Sequence, residues 1–281
     1  IFAVKGRPLI DPLITHFPNL ALAERHIYKP KILDELSDAF WPGPLTVVVR
    51  KRESIPDIVT AGRDSVAIRI PSHPWFRMLL EELRFPLAAP SANRFGYVSP
   101  TDAQHVIDGL GDRISAVLDD GPTTLGIEST ILDIRNEGKI RLLRPGPVQR
   151  EQVMEVTGIE VDSDSLSSQK DDNSIEAPGM LSKHYSPKTK LVLFEEYEEI
   201  RDQPTRKTAV ILQKRPNHEM TGNEYWLSED GDLSVVARNL FRLVRALDDG
   251  RYNLIYVQSA TDYGLGIAIN DRLMRASTKL A

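Results

Sequence analysis

Two α/β domains joined by an acidic linker are predicted from three features of the chain. Short β-rich apolar runs alternate with amphipathic stretches as far as residue 159. Residues 160–176 then hold six carboxylates and five serines against the single cation Lys170. Such a segment buries too little apolar surface to offset its ordering entropy and reads as a linker. Beyond it a strand–helix–strand pattern resumes, and 281 residues is a length suited to two domains at roughly 100–200 residues each. The expected division is 1–159, a linker or lid over 160–187, and 188–281.

In the first domain, strands are expected at 45–49, 66–70, 114–118, 129–134 and 140–143, where β-branched and aliphatic residues cluster. Helices are expected at 20–27, 31–39, 74–83 and 101–109, the last capped by Thr101 after Pro100. Together they predict a mixed, twisted sheet. In the second domain, strands fall at 191–194, 209–212, 224–227 and 254–257. Between the last two, Leu233, Val236, Ala237, Leu240, Phe241, Val244 and Leu247 recur at helical spacing, with Arg238, Arg242 and Arg245 opposite them as a solvated face. The pattern predicts a small, parallel, Rossmann-like sheet. No glycine fingerprint follows its first strand, which argues against a dinucleotide site.

Hydrophobic residues make up 41% and charged residues 27%, enough for a sizeable core. The absence of cysteine excludes disulfides and thiolate metal sites and fits a reducing compartment, with the cytoplasm as the default expectation. No apolar run is long enough to span a membrane, and the first residues do not read as a signal peptide. A net charge of −5 argues against nonspecific nucleic-acid binding as the main activity, and gives no support to the weak tRNA contact that could accompany another one.

Four segments of the first domain are more polar and glycine-rich than strand ends require. Lys5-Gly6-Arg7-Pro8 sets two cations around a glycine, either to grip one polyanion or as a basic turn. Ala88-Ala89-Pro90-Ser91-Ala92-Asn93 offers small residues for close approach, with a hydroxyl and an amide for anionic oxygens; a plain turn fits it equally well. Gly126-Ile127-Glu128-Ser129-Thr130 is a polar break before a strand, and Leu143-Arg144-Pro145-Gly146 ends a strand on an arginine. Together they place phosphate-type donors at several strand ends, where α/β ligand sites tend to lie. No group of histidines and carboxylates has metal-ligand spacing, and Glu128 and Asp133 read as structural.

With Phe40-Trp41-Pro42-Gly43-Pro44-Leu45-Thr46 and Ser99-Pro100-Thr101, these segments appear in the order and spacing of the YrdC-like family, which the chain resembles over nearly its whole length. His184-Tyr185-Ser186-Pro187 and the segment from Gly264-Leu265-Gly266 to Arg275 are similar to the longer, two-domain members, the threonylcarbamoyl-AMP synthases. The resemblance implies condensation of L-threonine, bicarbonate and ATP into threonylcarbamoyl-AMP and pyrophosphate. A downstream transferase then uses the product to modify tRNA. It further implies a tetrad of Lys5, Arg7, Ser91 and Asn93 around the phosphates and bicarbonate. Ser65, Ser99, Arg144 and Tyr185 are implied as further ATP contacts, Tyr185 being carried there by the linker as a lid. Asp11, His16, Arg69, Ala89 and Ser129 are implied for threonine. Arg69 would grip the carboxylate with its planar fork, whereas His16 alone reads as a satisfied core residue. Mg²⁺ is expected on the triphosphate, through phosphates and water rather than a protein cage.

The family pattern normally begins several tens of residues before Lys5, so this chain made alone is expected to fold poorly or lack activity. Asp11 stands where many relatives carry Asn and adds negative charge near the anion site. Two rival readings are a carbamoyltransferase, against which the lack of acylphosphatase-like and zinc-finger segments argues, and an RNA-binding module, which would not consume ATP in response to threonine.

Overall fold

The computed structural model of the protein describes residues 1–163, 177–178, 184–201, 203–220 and 222–277. Its strands are β1 Ile14–His16, β2 Ile27–Tyr28, β3 Leu45–Lys51, β4 Ser65–Arg69, β5 Leu87–Ala88, β6 Thr130–Asp133, β7 Ile140–Arg144, β8 Val161–Asp162, β9 Lys190–Phe194, β10 Thr208–Lys214, β11 Glu224–Ser228 and β12 Leu254–Gln258. The helices are α1 Phe2–Lys5, α2 Leu20–Ala23, α3 Leu33–Phe40, α4 Asp57–Thr60, α5 Pro74–Leu83, α6 Ala103–Leu110, α7 Arg150–Thr157, α8 Leu233–Leu247 and α9 Leu265–Ala276.

The chain forms two compact units that do not follow chain order. One comprises residues 1–2, 7–90 and 128–182; the other comprises 3–6, 91–127 and 183–281.

The first unit is built on a mixed sheet in the order β5-β1-β4-β3-β6-β7-β8, with β2 pairing the far end of β3. β3 at its centre is parallel to β6 and antiparallel to β4. Because side chains alternate across a strand, Leu45, Val47 and Val49 point to one face, where they join Val66, Ile68, Leu132 and Leu142 in the main core under α3 and α7. Val48, Ala67, Ile14, Ile131 and Leu143 form a smaller apolar layer on the opposite face. That second face positions the candidate site. The expectation of a mixed sheet holds.

The second unit holds a four-stranded, wholly parallel sheet in the order β11-β10-β12-β9. All seven apolar positions assigned to α8 face inward or pack against the core, with Leu240 and Val236 fully buried. Asp232 caps α8 by accepting from the Ser234 amide at 2.7 Å.

Three local expectations fail for identifiable reasons. Residues 114–118 form no strand: Ser115, Ala116 and Leu118 are exposed, Leu118 at 86%, so the run has too little cover to order as one. The helix expected at 20–27 stops after Ala23, because Ile27 is taken into the core and pairs with β3. The helix expected to start at Thr101 is capped instead by Asp102, whose carboxylate accepts from the His105 amide at 3.0 Å. Of the linker, residues 164–176 and 179–183 lie outside the described residues. Ala177 is buried in the smaller apolar layer of the first unit.

Candidate active site

In the first unit, strand register assembles a polar row at one end of the sheet's second face. His16 on β1 lies directly beside Arg69, the last residue of β4. Thr46 on β3 pairs with Ile131 on β6. Between Ile131 and Leu132 the register to β7 slips, so that Arg144 pairs with Ile131 while Leu142 pairs with Leu132. Leu143 is therefore the extra residue of a β-bulge, and the bulge turns Arg144 to the face that holds Ile131 and Thr46. Without it, strict alternation would send Arg144 to the apolar core with Leu142.

Arg144 is buried. Its Nε and Nη2 donate to the Ser129 carbonyl at 3.0 and 2.9 Å, its Nη2 also to Ser129 Oγ at 3.1 Å, and its Nη1 to the Pro178 carbonyl at 3.1 Å. Ser129 Oγ is further tied to Thr46 Oγ1 at 2.7 Å. Sequence reading passed over Thr46, although its place in an otherwise apolar strand marks it. Arg69 donates Nε to the Gly43 carbonyl at 2.9 Å, and among the described residues no carboxylate pairs with it. Burial first, and the Arg144 charge second, lower its pKa to about 10. Two guanidinium groups that repel each other on one sheet face, Arg69 half-buried and Arg144 buried, form a site suited to an anion.

His16 is buried, with Nδ1 3.4 Å from the Leu87 carbonyl and its ring edge-on to Phe76 at 5.4 Å between centroids. Burial, then the Arg69 charge, lowers its pKa from 6.5 to about 4, so it is neutral at pH 7. The unfolded chain therefore binds a proton between pH 6.5 and 4 that the folded chain refuses, and stability falls as pH falls through that window. We expect a His16→Gln variant to lose less stability than the parent between pH 7 and 4, the difference approaching 3 kcal/mol at most (about 1.4 kcal/mol per unit). Parallel urea titrations at both pH values check this; equal losses would mean that His16 is not the titrating group.

Four other candidate residues of the first unit are placed as follows. Arg7 and Asp11 form a buried ion pair at 2.8 Å, with Arg7 also donating to the Asp11 and Pro12 carbonyls at 3.1 and 2.6 Å. Asp11 thus serves as the partner of Arg7. The Ala89 amide donates to the Ile14 carbonyl at 3.0 Å, which leaves its carbonyl for any ligand. Ser65 lies at the start of β4, four residues and about 13 Å along the strand from Arg69. Its buried hydroxyl has no partner among the described residues, and it is not part of the polar row.

In the second unit, Lys5 is buried at the end of α1 and donates Nζ to the Ser91 carbonyl at 2.6 Å and to the Asn93 carbonyl. Asn93 is buried too; its Nδ2 donates to the carbonyls of Arg94 and Tyr97 at 2.8 and 2.9 Å. Both bonds require the amide nitrogen, so Oδ1 is oriented as an acceptor, and it has no partner among the described residues. Ser99 is buried and Ser91 half-buried on the same irregular stretch. Tyr185 is 1% exposed in the core of this unit, its ring stacked on Phe241 at 5.5 Å and beneath the Arg272 guanidinium. The ring is thus a core element of this unit. Asp133, set aside as structural, is buried against Arg135 and Arg141 at 2.8 and 3.1 Å, and no group of three or more His, Asp or Glu among the described residues could hold a metal.

Residues 1–146 match the Sua5, YciO and YrdC family, described as telomere recombination, and residues 148–278 match the family described as threonylcarbamoyl-AMP synthase, C-terminal domain. The chain belongs to the Sua5, YciO and YrdC family. It is 35% identical to the threonylcarbamoyl-AMP synthase of Pyrococcus abyssi, over 99% of its own length and 83% of that protein. Against the threonylcarbamoyl-AMP synthase of Bacillus subtilis the identity is 36%, over 99% of this chain and 82% of the relative. The crystal structure of P. abyssi Sua5 complexed with L-threonine superposes with a TM-score of 0.87 at 32% identity, covering 98% of this chain and 83% of that one. The resemblance and the two-domain form expected from the sequence hold.

Proposed function

We propose that the chain is a threonylcarbamoyl-AMP synthase, an enzyme that joins L-threonine, bicarbonate and ATP. The observation that carries this reading is the pair of half-buried Arg69 and buried Arg144, two cations on one sheet face beside neutral His16 and Ser129, with no carboxylate on Arg69 among the described residues. The names of the full-length relatives, and the L-threonine bound in the P. abyssi structure, support it.

In this reading Arg69 receives the threonine carboxylate and Ser129 lies beside it. Lys5, Ser91, Asn93 and Ser99 take the triphosphate. The threonine amine adds to the carbon of bicarbonate with loss of water, giving a carbamate. A carbamate oxygen then attacks the α-phosphorus, the bond from α-phosphorus to the bridging oxygen breaks, and pyrophosphate leaves. Neither step needs a protein nucleophile, so the chain contributes positioning and charge stabilisation. Mg²⁺ would reach the site on the triphosphate, through phosphates and water. The mixed anhydride is consumed by a transferase that carries the threonylcarbamoyl group to tRNA. No described helix is long and apolar enough to cross a membrane.

Pyrophosphate release from ATP and bicarbonate, measured with and without L-threonine, tests the proposal. Threonine-dependent release is the expected result. Release that ignores threonine would overturn it in favour of another ATP-consuming reaction. Arg7→Ala is a poor probe, because it strands the buried Asp11 carboxylate and unfolding would mimic loss of function.

A further inference from the structure

The stretch from Ala89 to Asp102 has neither helix nor strand, yet it carries Ser91, Asn93 and Ser99. A stretch with no ladder of its own keeps one conformation only if other groups take its backbone polar atoms. Lys5 and the Asn93 side chain take four carbonyls at its beginning, and the Ser186 amide takes that of Gly96 at 2.8 Å. Its far end is taken by the last turn of α8. Arg245 donates Nη2 to the Val98 carbonyl at 2.7 Å and Nε to the carbonyls of Val98 and Ser99 at 3.2 Å each, and its guanidinium lies over the Tyr97 ring at 4.8 Å. The Tyr97 hydroxyl donates to Asp248 at 2.7 Å.

Asp248 is the C-cap of α8, where the helix dipole disfavours an anion. Three donors offset that cost: Tyr97 Oη and the amides of Lys188 and Thr189, the last two at 3.0 and 2.7 Å. Segment 91–127 is also held at its other end by α8, since a Cβ on Gly126 would overlap the backbone of Ala237 and Arg238. Arg238 and Arg242 are exposed, as a solvated face requires, but Arg245 is half-buried and committed to the loop. The uniform reading of the three arginines is corrected accordingly.

We infer that Arg245 and Asp248 are positioning residues that hold the Ser91–Ser99 loop in its binding shape, so that the C-terminal helix tunes ATP binding through the loop. The inference rests on the proposed reading of that loop as a triphosphate site. Two variants test it in the full chain: Arg245→Met removes the fork, and Tyr97→Phe removes one hydroxyl and keeps the ring. Arg242→Met, one turn earlier on the exposed face, is the control, and Arg245→Lys the conservative variant. The KM for ATP is expected to rise about tenfold in Arg245→Met, roughly the loss of one charge-assisted hydrogen bond, with the KM for threonine within about twofold of the parent. Arg245→Lys should recover part of the loss, because an ammonium reaches one carbonyl but lacks the fork. Amide exchange should quicken across residues 91–101 while β10 and β12 keep their protection. Equal rises in both KM values, exchange that quickens throughout the second unit, or no change would each overturn the inference. If the parent shows no threonine-dependent turnover, the synthase reading falls and exchange alone decides the clamp: local quickening sustains it, and unchanged exchange ends it.

Discussion

Arg69→Met is expected to raise the KM for L-threonine about 100-fold, near 2.7 kcal/mol, while the unliganded protein melts no lower than the parent. The two halves of this expectation share one cause. Arg69 is a half-buried cation, partly desolvated and repelled by Arg144, and its lowered pKa records that cost. Deleting the charge relieves the unliganded fold, and methionine keeps most of the stem that packs along the sheet. A bound carboxylate, by contrast, loses its charge-assisted partner. Thermal melts with and without threonine check the prediction. Ligand that binds only the folded chain raises the melting temperature by mass action, and this shift should vanish in the variant. A preserved shift would move the carboxylate to other donors, and a fall in the unliganded melting point would make Arg69 a structural residue.

Most of the polar row was legible because its parts are local. Arg69 and Arg144 each end an apolar run, and Ser129 precedes one, so pattern alone put them at strand ends. What brings them to one face was not legible. Period-two alternation counted from Leu142 assigns Arg144 to the wrong side, and only the one-residue bulge at Leu143 corrects it. The same limit explains Arg245: helical spacing gives its face on α8, but not that a loop some 146 residues earlier would cover that face. Segment 91–127 packs with residues 183–281 rather than with its chain neighbours, an arrangement set by long-range burial and invisible to any window. The run at 114–118 errs in the opposite direction, having strand composition with no partner to pair.

Gly146→Ala is expected to destabilise the first unit by about 3–4 kcal/mol, far more than Gly138→Ala, which should cost about 1 kcal/mol. Backbone conformation predicts the reverse order. Gly138 has a φ of +73°, which an L residue resists, whereas Gly146 does not lie in the left-handed region. The surroundings decide otherwise. A Cβ on Gly138 meets nothing within 4 Å, whereas one on Gly146 would strike the Thr130 amide nitrogen, with the Ser129 carbonyl carbon at 2.7 Å and Thr130 Oγ1 at 2.8 Å. None of these atoms is at the end of a flexible side chain. The Thr130 amide is fixed to the Pro44 carbonyl at 3.0 Å, and its hydroxyl is bonded in both directions to Val148, donating at 2.7 Å and accepting at 2.9 Å. Any shift that relieves the overlap must therefore carry Ser129 with it, and the Ser129 carbonyl and hydroxyl are what hold Arg144 in the row. Loss of stability and loss of threonine-induced stabilisation should appear together in Gly146→Ala, and in Gly138→Ala only a small part of the first. Urea midpoints for the two variants, with and without threonine, give the comparison. Equal midpoints would show that the Ser129–Thr130 backbone can yield, and would remove the rigidity on which the placement of Arg144 depends.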